Sequence, residues 1–104
     1  MEKISSKRRA ELRAEAHNLS ATVHVGHLGL TTSLLTSLDD ALRTRELVKV
    51  QLGKTAELSV RDAAQQMAER MAAEVVQVIG RTATLYRHNP SLERTEGRVP
   101  WRTA

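Results

Sequence analysis

Val23-His24-Val25-Gly26-His27-Leu28-Gly29-Leu30-Thr31-Thr32 carries three structural signals in immediate succession. Val23 and Val25 flank a polar residue, the alternation of a half-buried strand. Gly26-His27-Leu28-Gly29 is a Gly-x-x-Gly turn, which ends the strand and lets the backbone come close to a ligand, at positive φ where needed. Thr31 or Thr32 then offers a hydroxyl to cap a helix whose apolar stripe is Leu34, Leu35, Leu38, Ala41 and Leu42. Strand, glycine turn and helix in this order define a fold that mixes both element types.

Working outward, Ser5 or Ser6 caps a first helix that runs to about His17, with Leu12, Ala16 and Leu19 at helical spacing. Arg9 and Arg13 fall one turn apart on another of its faces. The first strand is expected over Ala21 to Val25. Arg43 and Arg45 complement the dipole at the end of the second helix. Leu47 to Leu52 alternates again, with Val48, Val50 and Leu52 on one face, until Gly53 and Lys54 interrupt it. Ser59 or Glu57 opens a third helix with Val60, Ala63, Ala64, Met67 and Met71 as its buried stripe. Val75 to Ile79 is rich in β-branched residues. Gly80-Arg81-Thr82 then turns the chain into Ala83 to Arg87, its hairpin partner.

The order α-β-α-β-α-β-β predicts an α+β domain: a four-stranded mixed sheet with helices packed on it. This domain takes up residues 1–88. From 89 to 104 the sequence offers Pro, Gly and charge without periodicity, which reads as a basic tail, flexible or extended.

A chain of 104 residues has room for one modest core and little more. It has no cysteine, hence no disulfide framework, thiolate metal site or thiol nucleophile. No apolar run approaches the ~20 residues of a membrane span, and the first residues are charged, so a cytoplasmic, membrane-free protein is expected. Sixteen Lys and Arg outnumber twelve Asp and Glu, a balance that favours polyanionic partners. Lys3, Lys7, Arg8, Arg9 and Arg13 crowd the first segment, while Arg81, Arg87, Arg94, Arg98 and Arg102 occupy the last quarter.

Catalytic and metal readings find little support. His24 and His27 form a His-x-x-His pair at a strand-to-loop junction, without the third and fourth ligands a metal centre requires. Asp39 and Asp40 diverge by about 100° on a helix and read as a solvated face. No nucleophile elbow, phosphate-binding Lys loop or dinucleotide fingerprint occurs. No enzyme, cofactor or small-molecule substrate is expected. Nucleic acid is a different matter: KH-type modules clamp RNA with a Gly-x-x-Gly loop, and free N–H groups at a helix start attract phosphate. Tyr86 and Trp101 are the only aromatics, too few for a base-stacking platform. RNA would have to be held by backbone clamping and charge.

The chain resembles a stand-alone bacterial CRM domain of the YhbY-like ribosome-assembly proteins, related to plant organelle splicing factors. Ala16-His17, the Val25-to-Thr31 loop, Glu46-Leu47-Val48-Lys49-Val50 and the long Val76-to-Arg87 block carry this resemblance, which extends from about Ser6 to Arg87. It implies a fold like the C-terminal domain of translation initiation factor three, binding to RNA, and association with the precursor of the large (50S) ribosomal subunit. Loops of the family commonly hold polar or basic residues between the glycines. Leu28 departs from that pattern, which leaves His27 as the one polar side chain there. The expected RNA contacts are Gly26, His27, Leu28, Gly29, Thr31 and Thr32. Lys7, Arg8, Arg9 and Arg13 would supply counter-charge, and Lys49, Arg81 and Arg87 further charge. The chain is expected to act as a monomer. The rival reading is an adaptor that docks on a ribosomal protein or translation factor through its sheet face or tail, a reading that a dominant role for Leu92 and Trp101 would favour.

Overall fold

A computed structural model describes residues 5–89. The tail expected over 89–104, with Leu92 and Trp101, lies almost entirely outside the described residues. The elements are α1 (Ser6–Ala16), β1 (Val23–Val25), α2 (Thr32–Arg45), β2 (Leu47–Leu52), α3 (Val60–Met71), β3 (Glu74–Ile79) and β4 (Thr82–Tyr86). The expected order of elements is therefore observed. The boundaries move slightly. β1 is three residues rather than five, because Ala21 and Thr22 precede its ladder with β2, to which Thr22 adds one N–H bond at Lys49. β3 begins one residue early, and β4 spans Thr82–Tyr86 rather than Ala83–Arg87.

Three hydroxyls set the helix starts. Ser5, Thr31 and Ser59 each accept from the backbone N–H three residues ahead, satisfying one of the donors every helix start leaves open. The strands order as β1-β2-β4-β3, with β1 parallel to β2 and the other two pairings antiparallel. α2 and α3 cover one face. There Leu38, Leu42, Ala63 and Met67 pack against Val25, Val48, Val50, Leu52 and Leu85 in the main core. α1 lies on the other face, where Leu12 and Ala16 close over Leu47, Val76 and Tyr86. Tyr86 is thus a core residue.

The sheet register carries one irregularity, between Val75 and Gln77. The extra residue lets Val76 and Gln77 share the α1 side of the sheet. Arg9 donates to the carbonyls of Val75 and Val76 at this point, so a residue expected to face RNA instead covers a bulge in an edge strand.

Candidate functional site

Because β1 and β2 run parallel, their C-terminal ends emerge at the same end of the sheet, where ligands of open α/β sheets settle. The Gly26–Gly29 loop leaves β1 there. The segment 53–59 leaves β2 beside it, with Gly53 N–H donating to Val25 O at 2.8 Å. The Gly80-Arg81 turn of the β3–β4 hairpin completes the group. Leu52 N–H donates to Arg81 O at 2.8 Å, and the Arg81 guanidinium returns to the carbonyls of Leu52 and Gly53. Three loops are thus tied together by backbone geometry.

Within the first loop, Gly29 N–H bonds Gly26 O at 3.0 Å and Thr31 N–H bonds Gly29 O at 3.1 Å. Thr31, not Thr32, is the cap: its hydroxyl accepts from Leu34 N–H and its carbonyl from Leu35 N–H. The N–H groups of His27, Leu28, Thr32 and Ser33 bond no other described residue, and those of Thr32 and Ser33 lie in the first turn of α2, at the positive end of its dipole. His27 is exposed, and Leu28 is 76% exposed, the most solvated large apolar side chain among the described residues.

The two glycines differ. Gly29 sits at φ +76°, a backbone conformation that side chains with a Cβ resist. Gly26 lies outside the left-handed region, and a Cβ placed on it would meet no atom within 4 Å. Neither conformation nor internal packing requires glycine at position 26. A close external approach would.

The basic candidates separate on inspection. Lys7 and Arg13 are exposed. Arg8 pairs with Glu11 at 3.6 Å and stacks over the Tyr86 ring, 5.6 Å from its centroid. Arg8 and Arg9 both sit where β3 starts and β4 ends, roughly 15 Å along the strands from the loop end. Lys49 projects onto the α1 side of the sheet and donates to Leu19 O at 3.1 Å. Arg87 is committed most fully: it reaches the Asp39 carboxylate at 2.9 Å, Met71 O at 3.0 Å and Asp39 O at 3.1 Å. Asp39 is consequently no bystander on a solvated face, as its sequence pattern suggested. It anchors a bridge between α2, the end of α3 and the end of β4.

Sequence reading passed over Lys54 and Arg61, exposed cations in the second loop and at the start of α3, with Glu57 and Asp62 between and beside them. Lys54 follows directly on the Gly53 break, and that position was the available signal. Among the described residues no group of three or more His, Cys, Asp or Glu side chains assembles to hold a metal, and no helix is long and apolar enough to cross a membrane.

Comparison with known proteins agrees with this fold. The profile of the CRS1 / YhbY (CRM) domain matches residues 4–87. The chain is 29% identical over 93 residues to the Bacillus subtilis protein named "Probable RNA-binding protein YqeI", covering 89% of this chain and 97% of that one. It is 29% identical over 87 residues to the Pseudomonas aeruginosa "Probable RNA-binding protein PA4753", covering 84% of each. Among solved structures, that of the Staphylococcus aureus hypothetical protein SAV1595 superposes with a TM-score of 0.72 at 30% identity, over 84% of this chain and 91% of the other.

Proposed function

The chain belongs to the CRS1 / YhbY (CRM) domain family, and from that premise we propose that it is a non-enzymatic RNA-binding protein whose Gly26–Thr32 segment holds the RNA backbone. The observation that carries this reading is the pairing of Gly26, open on its Cβ side, with the uncommitted N–H groups of His27, Leu28, Thr32 and Ser33. Amide donors at a helix start suit a phosphate, and the missing side chain allows the sugar–phosphate backbone to approach. His27, Lys54 and Arg81 add positive or protonatable groups around the same end of the sheet. The relatives' names supply the ligand class. The choice of ribosomal RNA in the precursor of the large subunit follows from the family resemblance, with the cytoplasm as the place of action and a monomer as the acting form.

Affinity without aromatic stacking rests on charge and backbone contacts, so it depends steeply on salt. Each phosphate contacted on a single strand contributes roughly 0.7 to the slope of log affinity against log salt, and three to five contacts give a slope of about −2 to −3.5. Binding that ignores a salt titration would instead favour the docking adaptor, for which exposed Leu28 at the loop tip is the supporting feature. Sedimentation of tagged protein from cell extract, with sequencing of crosslinked RNA, tests the ribosomal assignment. Purified protein is expected to turn over neither ATP nor RNA, and enzyme-like hydrolysis of either would overturn the non-enzymatic reading.

A further inference from the structure

α1 covers only part of its face of the sheet. Leu12 and Ala16 reach Leu47, Val76 and Tyr86, and the helix ends at Ala16. Two cross-strand rows continue beyond it towards the loop end. The register aligns Lys49, Thr84 and Gln77 in one row, and His24, Gln51, Thr82 and Ile79 in the next. The bulge at Val76 matters here, because it places both Val76 under α1 and Gln77 on this same face.

Between the rows and the end of α1 lies a depression of about 300 Å³ lined by His17, Lys49, Gln77, Ile79, Thr82 and Thr84. Its lining contains a cation and an imidazole and no carboxylate. The Lys49 ammonium uses one of its three donors on Leu19 O. The side chains of Gln77, Thr82 and Thr84 bond no other described residue, although Thr84 is 1% exposed and forms the floor. Ile79 stands at the rim, 58% exposed. Arg13 lies one helical turn before His17, on the same stripe of α1.

We infer that this depression is a second RNA subsite, taking one unpaired ribonucleotide of the strand whose backbone is held at Gly26–Thr32; the inference rests on the RNA-clamp reading of that loop. Charge complementarity selects an anion. Lys49 and His17 line the depression without an opposing carboxylate, and Arg13 lies one helical turn before His17. Amide and hydroxyl groups select the rest of the ligand. Gln77 can both donate to and accept from a base edge, and Thr82 and Thr84 can meet a 2′-hydroxyl. Ile79 offers an apolar contact for the face of a base where no ring is present. A duplex fits poorly, since its bases are paired and stacked and cannot be splayed into a depression the size of one nucleotide. A volume of about 300 Å³ matches the lower bound of small-ligand sites and so one nucleotide. The row His24, Gln51, Thr82 and Ile79 connects β1 to the depression. His24 precedes Gly26 by two residues, and the depression is centred about two strand spacings, roughly 10 Å, across the sheet from β1.

The test titrates ¹⁵N-labelled full-length chain with octauridylate and, separately, with a blunt RNA duplex. Octauridylate should shift the amides of Lys49, Gln77, Thr82 and Thr84 together with those of residues 26–33, while the duplex shifts only the loop set. Gln77→Glu, which puts a carboxylate into the depression, should weaken octauridylate binding by at least ~fivefold and duplex binding by less than ~twofold. Lys49→Gln and Thr84→Val serve as milder variants should Gln77→Glu alter the circular dichroism spectrum. Octauridylate shifts confined to residues 26–33, with all three variants binding like the parent, would overturn the subsite and leave the loop clamp standing. Shifts at the depression with none at the loop would overturn the clamp and, with it, the continuous strand path inferred here.

Discussion

The two ends of the sheet use the same kinds of residue in opposite ways. At the end where β1 and β2 finish, the N–H groups of His27, Leu28, Thr32 and Ser33 bond no other described residue, and the side chains of His27 and Leu28 stand in solvent. At the other end, polar groups are knitted to one another. Arg9 covers the β3 bulge, Arg8 lies over Tyr86, and Arg87 bridges Asp39 and Met71. Glu46 is fully buried at φ 65°, its carbonyl accepting from Arg87 N–H and its carboxylate from Asn89 N–H. A guanidinium offers five donors, and helix and strand ends offer carbonyls, so arginines that fall beside such ends are drawn into the fold. Basic residues counted in a sequence therefore separate into those drawn into the fold, Arg81 at the loop end among them, and those left in solvent, such as Lys7, Arg13 and Lys54.

The largest effect that follows is on stability. Arg87→Ala removes three charge-assisted hydrogen bonds from a side chain only 21% exposed. It should cost about 2–3 kcal/mol, a fall of roughly 10–20 °C in Tm for a domain of this size. RNA affinity of the folded variant should change by less than ~twofold. Thermal unfolding and binding measured on the same sample decide it: a large loss of affinity with unchanged Tm would place Arg87 in the interface instead.

This contrast was only half legible in the sequence. The fold was, because each level agreed: Ser5, Thr31 and Ser59 cap, the apolar stripes have helical spacing, and Val48, Val50 and Leu52 alternate into one core. The loop was legible for the same reason, since two glycines sit between strand and helix signals. What the sequence hid were contacts distant along the chain. Arg87 meets Asp39 forty-eight positions away, and nothing local to either residue announces the pair. The Val76 bulge was equally hidden, because a run of β-branched residues reads the same with or without an extra residue in the ladder. Glu46 left a faint local trace. A carboxylate at the end of a helix opposes the dipole, and its presence there signals a partner that outweighs the cost.

The reverse experiment targets the open end. His27→Asp with Leu28→Asp puts two negative charges where a phosphate would sit, against the dipole's attraction. RNA affinity should fall by at least ~tenfold, or about 1.4 kcal/mol. Both side chains are exposed, so Tm should stay within the ~0.5 kcal/mol usual for surface changes. Parent-like binding would remove the Gly-x-x-Gly clamp, and α1 with Lys7 and Arg13 would become the primary surface.

The loop also contains its own smaller version of the comparison. Gly29→Ala forces a Cβ onto a residue at φ +76° and should cost about 1 kcal/mol of stability. Gly26→Ala meets no neighbour within 4 Å and should leave Tm unchanged or slightly raised. Its effect belongs to the ligand: a methyl group at the point of closest approach should lower RNA affinity by roughly threefold. If Gly26→Ala destabilised the free protein as much as Gly29→Ala, glycine at position 26 would serve the fold and its role in binding would lapse.

The smallest expected effect separates two adjacent carboxylates. Asp40 pairs with Arg43 on the surface of α2, where the two side chains are 57% and 59% exposed. Exposed pairs of this kind contribute little, because solvent screens them and holding two long side chains together costs entropy. Asp40→Asn should therefore change stability by no more than ~0.5 kcal/mol and RNA affinity by less than ~twofold. Asp39→Asn, one residue away, keeps the shape but removes the charge that Arg87 engages, and should cost about 1 kcal/mol. Equal, negligible effects of the two changes would mean that the bridge at the closed end rests on the carbonyls of Met71 and Asp39 alone. A difference in favour of Asp39 would establish that the carboxylate is what draws this arginine into the fold and away from RNA.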